Sequence, residues 1–457
     1  MCYVSVGMRQ SRYNIWVREG DSEYVYNGMS GALLRTPRGT EDDVRRLDAG
    51  ELPEHTSVDL LQRLTHGRML VSDDVDELGL LRTRYELTRS DPSLLGLTLV
   101  SSAGCNFDCP YCFEDKRPSI MSAEVQAAIL ALVDEQLPRL SQVYVTWFGG
   151  EPLLGKEVIW SLGQALIDRC DAAGIGYASG IITNGWHLDE DTCRRLAELR
   201  VATAQVSLDG PAATHDLMRP RVGGKPSFDR IVENLHHAVE HLQVNIRINA
   251  DKVTLPRAEE LLARLAAEGL AGRLQVYAGQ IVGGHENMTS PAVTFTSTCY
   301  TSAEFAEVEL AFSTLAARYG FGRPGLPQPS GAPCTAVRKN ELVVGAKGEL
   351  YKCWESVGNP RDEIGTIFDH ANPNTRLRKW LQYDPVSDPE CSTCIALPGC
   401  MGGCAQHSMD LIQHDNRCGT FRHNYRDRIT TFVDYVRQTG GGDEVVPAAT
   451  LARAMSR

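Results

Sequence analysis

Between residues 95 and 320, strand-like and helix-like runs alternate six times, and this alternation constrains the fold more than any other feature. The strand-like runs are 95–100, 142–148, 181–183, 203–208, 243–249 and 274–277. Helical spacing fills the gaps, at about 122–138, 157–173, 189–198, 227–241 and 256–267, with a longer stretch at 301–319. Strands that alternate with helices form right-handed βαβ units around a parallel sheet. A closed barrel of this kind needs eight units. Six predict an α/β fold in the form of a partial (β/α)6 TIM barrel, open on one side and wide enough for a bulky substrate.

Such barrels carry their chemistry on the loops after the strands. The loop after the first strand reads Cys105-Asn-Phe-Asp-Cys109-Pro-Tyr111-Cys112. Thiolates at spacings of four and three can reach one small inorganic centre. Iron–sulfur clusters are usually held by four cysteines, so three would leave one iron of a four-iron cube free. Structural zinc would need a fourth ligand nearby, yet the next candidates, His66 and Cys170, are distant in sequence. Two further loops carry polar groups suited to ligands. Gly149-Gly150-Glu151-Pro152 follows the second strand, where two glycines allow close backbone approach and Glu151 can accept from an ammonium. Thr183-Asn184-Gly185 closes the third strand, Ser207-Leu-Asp-Gly210 the fourth, and Arg219 follows twelve residues after Ser207. A hydroxyl and a guanidinium there suit a carboxylate or ribose hydroxyls.

Of 14 cysteines, three lie in that loop and seven between 334 and 418. The seven run Cys334, thirteen residues, Gly348, four residues, Cys353, then Cys391-x2-Cys394-x5-Cys400-x3-Cys404, thirteen residues and Cys418. Such spacing signals metal, and a zinc ribbon is the alternative to iron–sulfur clusters. Cys2, Cys170, Cys193 and Cys299 are scattered and read as ordinary thiols. The N-terminus lacks a secretory pattern, so a disulfide framework is not expected and the chain is expected to be cytoplasmic.

The flanks differ from the barrel. Residues 1–94 contain strand-like 12–18 and 23–27, a helix from Thr40 with Asp43 in a capping-box position, a helix from Ser57, a strand near Met69–Ser72 and a helix from about Asp73. This predicts a winged-helix-like module. Glycine and proline crowd 320–333, marking a boundary. A hairpin follows at 341–353, and Phe421, Tyr425, Ile429, Phe432 and Val436 mark one face of a C-terminal helix that Gly440-Gly-Gly442 ends. The expected units are 1–94, the barrel 95–325, a cysteine-rich domain 326–439 and a tail 440–457. A net charge of −12 disfavours a nucleic-acid partner, and no run of eighteen apolar residues suggests a membrane span.

Taken together, the Cys-x3-Cys-x2-Cys loop, the GGEP, TNG and SLDG segments and the six βα units resemble the radical S-adenosylmethionine (radical SAM) superfamily. The resemblance covers about 95–320. It implies that Cys105, Cys109 and Cys112 hold a [4Fe-4S] cluster whose free iron binds SAM. It implies reductive cleavage of SAM to a 5′-deoxyadenosyl radical that takes hydrogen from the substrate, and an external one-electron donor such as flavodoxin or ferredoxin. Tyr111 is expected near the adenine, Gly149, Gly150 and Glu151 at the methionyl amine, and Asn184, Ser207 and Arg219 among the other SAM contacts. The C-terminal spacing resembles the SPASM domain, which carries two auxiliary [4Fe-4S] clusters. On that pattern Cys391, Cys394, Cys400 and Cys418 hold one cluster and Cys334, Cys353 and Cys404 the other. A fourth cysteine near Cys334 is absent. That cluster is expected to keep an open iron, for a substrate thiolate or amide, water, or a distant ligand such as Cys299.

Proteins of that branch mostly modify peptides. The expected activity is maturation of a ribosomally made precursor peptide by a thioether, carbon–carbon or carbon–oxygen crosslink, with residues 1–94 binding the leader by strand addition. Sulfatase maturation to formylglycine is the first rival. The resemblance places an Asp base directly after the cysteine matching Cys353, where this chain has Trp354. Small-molecule dehydrogenation is a second rival, and a non-catalytic electron carrier a third. No general base is assigned. Glu355, Tyr277, Gln280, His285 and Arg247 lie near strand ends or cysteines and read first as structural residues.

Overall fold

The computed structural model describes residues 7–51, 56–115, 117–284, 290–296, 298–410 and 412–439. Cys2, His285, the glycines at 440–442 and the tail lie outside them. The strands in chain order are β1 (Met8–Gln10), β2 (Asn14–Glu19), β3 (Ser22–Asn27), β4 (Leu33–Pro37), β5 (Leu70–Ser72), β6 (Leu94–Ser102), β7 (Gln142–Gly149), β8 (Gly176–Thr183), β9 (Val201–Ser207), β10 (Gln243–Ala250), β11 (Leu274–Gln280), β12 (Glu341–Val344), β13 (Glu349–Tyr351) and β14 (Gly365–Thr366).

Strands β6 to β11 pair in parallel, each with its sequence neighbour. This is the partial barrel. Its strands are apolar on alternate or successive positions, and Leu97, Leu99, Val143, Val145, Trp147, Ile181, Ala204, Val206, Ile246 and Ile248 are buried in one continuous core. The expected strand at 181–183 is longer than its sequence suggests. It begins at Gly176, and Ala178 and Gly180 hide it because neither favours a strand. At Gly180 a Cβ would stand 2.7 Å from Oγ1 of Thr203, so only glycine lets β8 and β9 approach there. A short helix, Ala212–Met218, follows β9 and has no periodic signal in the sequence.

The hairpin β12–β13 was expected as part of a separate unit. Instead β12 pairs in parallel with β6, register Glu341↔Gly96, and extends the barrel sheet to nine strands, ending in β13 and β14. Gly96 permits this, since a Cβ there would meet the Glu341 side chain at 2.6 Å. The cysteine after β13 is thereby fixed to the barrel's own sheet.

Before the barrel, β2–β3–β4 form an antiparallel meander and β1 pairs with β5. Three helices accompany them, Thr40–Asp48, Val58–His66 and Glu77–Ser90. The capping box expected at Thr40 is not formed. Gly39 is the N-cap, the Thr40 hydroxyl donates to Pro37 O at 2.7 Å, and Asp43 accepts from Thr56 instead. The third helix starts at Glu77, because the Asp76 side chain caps it and Asp73–Val75 is a turn. Ile15, Val17, Tyr24, Tyr26 and Leu33 of the meander pack against Ile429 and Val433 of the C-terminal helix, Phe421–Gln438. The two ends of the described chain thus share an apolar cluster. No helix among the described residues is long and apolar enough to cross a membrane.

Candidate functional site

Strand β6 ends in a bulge between Val100 and Ser102 and delivers the Cys105 loop to the C-terminal end of the sheet. Three neighbouring loops clamp it. Gly149 adopts φ 129°, and a Cβ there would lie 2.1 Å from Ser102 O. At Gly150 a Cβ would lie 2.7 Å from Gly104 O and 3.1 Å from Cβ of Cys105. Both glycines are required because the GGEP backbone lies directly on the cysteine loop, and the Glu151 N–H donates to Gly104 O at 2.8 Å.

Glu151 is fully buried. One carboxylate oxygen accepts from the Leu153 N–H at 3.0 Å and the Thr183 hydroxyl at 2.8 Å, the other from the Asn184 N–H at 2.8 Å. A carboxylate has about four acceptor directions, so three internal bonds leave one for a ligand ammonium. Burial raises its pKa, and those hydrogen bonds oppose the rise. Glu151 therefore first joins the GGEP and TNG loops. Asn184 continues the chain of contacts. Its amide donates to Asn106 Oδ1 at 2.7 Å and faces Sγ of Cys105 at 4.0 Å, and that sulfur also accepts from the Phe107 N–H at 3.4 Å.

Tyr111 is tied to the ends of β9 and β10. Its hydroxyl donates to Asp209 and receives Arg219 at 2.6 Å and Asn249 at 3.1 Å. Burial holds the Tyr111 phenol well above its usual pKa, so it remains a donor. Arg219 is buried, 4.0 Å from the Asp209 carboxylate, with its face over the Phe107 ring. Asp209 is held in turn by the Asn249 N–H at 2.8 Å, and its own N–H donates to Nδ1 of His215 at 3.1 Å. Asp209, His215 and Asn249 were not picked out in the sequence. The signal for Asp209 was its place in Ser-Leu-Asp-Gly. Asn249, at the end of a strand, and His215, in an unrecognised helix, gave none.

Several donors at this end of the barrel are not satisfied by the chain. Nδ2 of Asn106 and Nε of Arg219 are buried without a partner, and the Ser207 hydroxyl, at the end of β9, makes no hydrogen bond among the described residues. Orphaned buried donors call for an acceptor. Three thiols on one loop, a glycine-lined approach and unpaired donors fit a cluster with a polar, carboxylate-bearing ligand.

The seven C-terminal cysteines fall into two groups. Cys353 feels the charges of Cys404 and Cys334, and Cys334 that of Cys404. Cys391 feels Cys400, and Cys400 feels Cys418 and Cys394. The Cys-Met-Gly-Gly-Cys segment explains the second group. Met401, Gly402 and Gly403 all take positive φ, at 49°, 93° and 72°, and fold the chain back. A Cβ on Gly403 would lie 1.9 Å from Arg417 O. The Cys404 N–H bonds that same carbonyl at 2.8 Å, which brings Cys418 to Cys400. Arg422 donates to Sγ of Cys418 at 3.0 Å. Burial pushes the Cys391 thiol up to about 12 and the Cys404 thiol up to about 11, and a cysteine ligates metal as its thiolate. Among the described residues no three His, Cys, Asp or Glu side chains meet as ligands of one ion. Thiolates of a four-iron cluster each take a different corner and need no common point.

Cys299 lies elsewhere. Its thiol donates to Phe295 O at 3.3 Å and its charged neighbours are Asp251 and Lys252. Tyr277 donates to Gln205 at 2.5 Å, Gln280 to Tyr300 O at 2.8 Å and Arg247 to Asn249 at 2.9 Å, so each has a structural partner. Trp354, 40% exposed, stacks on Phe148 with ring centroids 6.0 Å apart. Phe148 immediately precedes Gly149, so this pair links the turn after Cys353 to the GGEP loop.

Residues 99–270 match the family model described as the Radical SAM superfamily. The chain is 21% identical over 360 residues to a serine-type anaerobic sulfatase-maturating enzyme of Klebsiella pneumoniae, covering 74% of this chain and 88% of that protein. It is 25% identical over 180 residues to the Fe-coproporphyrin III synthase of Methanosarcina barkeri, covering 38% and 43%. The solved structure of native anSMEcpe with bound AdoMet and Cp18Cys peptide superposes with a TM-score of 0.56 at 18% identity, over 76% of this chain and 98% of that one. This likeness establishes the shared fold.

Proposed function

From residues 99–270, which carry a radical SAM domain, we propose that this chain is a peptide maturase that oxidatively modifies or crosslinks residues of a ribosomally made precursor. Cys105, Cys109 and Cys112 would hold the SAM-binding cluster. Cys391, Cys394, Cys400 and Cys418 would hold one auxiliary cluster, and Cys334, Cys353 and Cys404 another. When bound, SAM and the clusters supply a 5′-deoxyadenosyl radical and electron acceptors, chemistry that side chains lack.

The chain's own residues bind, orient and exclude water. The Gly149-Gly150 backbone offers close approach, and Glu151 its remaining lone pair, to the methionyl amine. Ser207, Asn106 and Arg219 offer donors to oxygen atoms of SAM. Tyr111 is held rigid by Asp209, Arg219 and Asn249, so the cysteine loop meets its ligand without reorganisation. The Phe148–Trp354 stack lies beside the GGEP loop.

The observation that carries the reading is the pairing of this barrel site with two converging thiol groups, one of them anchored to the barrel sheet through β12. An array of that many thiols suits a reaction that must remove electrons from a substrate. The edges of the β2–β3–β4 meander suit a leader peptide added as a strand.

Similarity over 88% of a sulfatase-maturating enzyme favours a second reading, oxidation of a Ser or Cys side chain in a sulfatase. Trp354, in the place where the resemblance implies an Asp base, weighs against it. One assay separates them. Reconstituted protein, SAM and reductant are offered a precursor peptide encoded beside the gene, or a sulfatase-derived Ser or Cys peptide. The proposal expects 5′-deoxyadenosine together with a crosslinked precursor. Formylglycine in the sulfatase peptide alone would establish the second reading.

A further inference from the structure

The loop after β11 reaches back to the cysteine loop, and a side chain from the C-terminal region holds it there. The N–H of Ala292, a buried residue, donates to Cys112 O at 3.1 Å. The Gly284 N–H donates in turn to Ala292 O at 3.1 Å. These two runs of backbone lie in direct contact. A Cβ on Gly284 would stand 2.6 Å from Cα of Val293, and one on Gly283 2.8 Å from Cγ2 of Thr296. Phe295 sets its ring edge-to-face against Tyr111, with centroids 5.8 Å apart. Residues 290–296 therefore touch the cysteine loop at both Tyr111 and Cys112.

One amide takes the carbonyls of both glycines. Nε2 of Gln413 donates to Gly283 O and to Gly284 O, each at 3.0 Å. Gln413 is buried, and its N–H donates to the Asp410 carboxylate at 3.0 Å. Its Oε1 accepts from Nδ2 of Asn416 at 3.0 Å, which sets the end of the amide that faces the glycines. Asn416 is anchored in turn to the start of helix Ser302–Arg318. Its Oδ1 accepts from the Ser302 N–H at 3.1 Å and its carbonyl from the Ser302 hydroxyl at 3.2 Å. Gln413 lies between Cys404 and Cys418 in the chain. Three hydrogen bonds in series, through Gly284 and Ala292, thus connect a side chain of the cysteine-rich region to the carbonyl of Cys112. Removing the buried amide would strand both glycine carbonyls, which costs more than the bonds themselves are worth.

We infer that Gln413 is a positioning residue for the SAM site, an inference that rests on reading the loop from Cys105 to Cys112 as that site. Its amide latches the loop after β11 onto Cys112 and Tyr111, so the cysteine loop is held in its binding geometry before SAM arrives. The cysteine-rich region thereby contributes to SAM affinity through one side chain that itself touches neither thiol nor ligand.

The test uses anaerobically reconstituted full-length protein as wild type, Gln413→Met and Asn416→Asp. Methionine keeps the length of the side chain and removes both amide donors. Aspartate at 416 keeps the acceptor for Ser302 and removes the donor to Gln413. Circular dichroism and the melting temperature report folding. Hydrogen–deuterium exchange reads local protection, while equilibrium binding and initial rates of 5′-deoxyadenosine formation give the SAM dissociation constant, KM and kcat. The latch predicts faster exchange at 281–284 and 290–296 in Gln413→Met, with β6 to β8 as protected as in the wild type. It predicts a dissociation constant and KM for SAM raised about tenfold, the loss of one or two net hydrogen bonds, at an unchanged kcat. Asn416→Asp should move the same quantities in the same direction by less. Wild-type exchange at 281–284 and 290–296 in folded Gln413→Met would overturn the inference. So would exchange raised throughout the barrel, or kcat lost at an unchanged KM, since either marks a general structural role. Should Gln413→Met fail to fold, Asn416→Asp decides by the same criteria. If the wild type binds no SAM, the underlying reading fails; SAM binding that Gln413→Met leaves unaltered removes the inference alone.

Discussion

The Cys105 loop and the C-terminal cysteines solve one problem, gathering thiols, by opposite means. In the loop, three cysteines within eight residues sit on one turn after β6, and the surrounding loops supply glycine surfaces and unpaired donors. In the C-terminal region the thiols come from segments as far apart as Cys334 and Cys418, assembled by the β12–β13 hairpin and the three positive-φ residues before Cys404. A site built on one loop keeps its ligand spacing by local geometry and can leave a position free for a second molecule. A site built across segments depends on tertiary packing.

Substitutions should expose this difference, and the largest effect belongs to the loop. Cys109→Ala should reduce SAM cleavage to the solvent background, measured as 5′-deoxyadenosine, while leaving the iron bound by the C-terminal thiols in place. Next comes Gly150→Ala. Its Cβ would press on Gly104 O at 2.7 Å, an overpacking expected to cost about 1–3 kcal/mol, with a lower melting temperature and weakened SAM binding. Trp354→Ala should be milder. The residue is 40% exposed and its stack on Phe148 is worth about 1 kcal/mol. SAM cleavage should persist, and the yield of modified peptide per 5′-deoxyadenosine should fall. A product ratio unchanged by Trp354→Ala would separate that turn from substrate handling.

The smallest effect is a pH dependence. Burial, with Arg219 beside it, holds His215 neutral and well below the usual histidine pKa. The unfolded chain binds a proton near pH 6.5 that the folded chain refuses. Stability from this residue is therefore complete above about pH 6.5 and declines as the pH falls below it. His215→Asn should melt lower at pH 7.5, and its melting temperature should fall less than the wild type's between pH 7.5 and 5.5.

These same contrasts explain what the sequence made legible. The six βα units, the cysteine loop and the GGEP and TNG segments could be read because hydrophobic period and residue spacing are local. The parallel pairing of β12 with β6 could not, since nothing local distinguishes a hairpin that joins a distant sheet from one that stands alone. Strand β8 is masked in the sequence by Ala178 and Gly180, and at Gly180 the missing Cβ lets Thr203 of β9 approach. Asp209, Asn249 and His215 act through contacts across four elements.

The account rests most directly on coupling between the two regions, and one measurement tests it. Reconstituted wild-type protein, SAM, a one-electron reductant and a precursor peptide encoded beside the gene are incubated without oxygen, and 5′-deoxyadenosine and peptide mass are followed together. The account predicts 5′-deoxyadenosine formed in step with a peptide that has lost two hydrogens at a new crosslink. SAM cleavage that leaves the precursor unchanged, with a sulfatase-derived peptide converted instead, would contradict it.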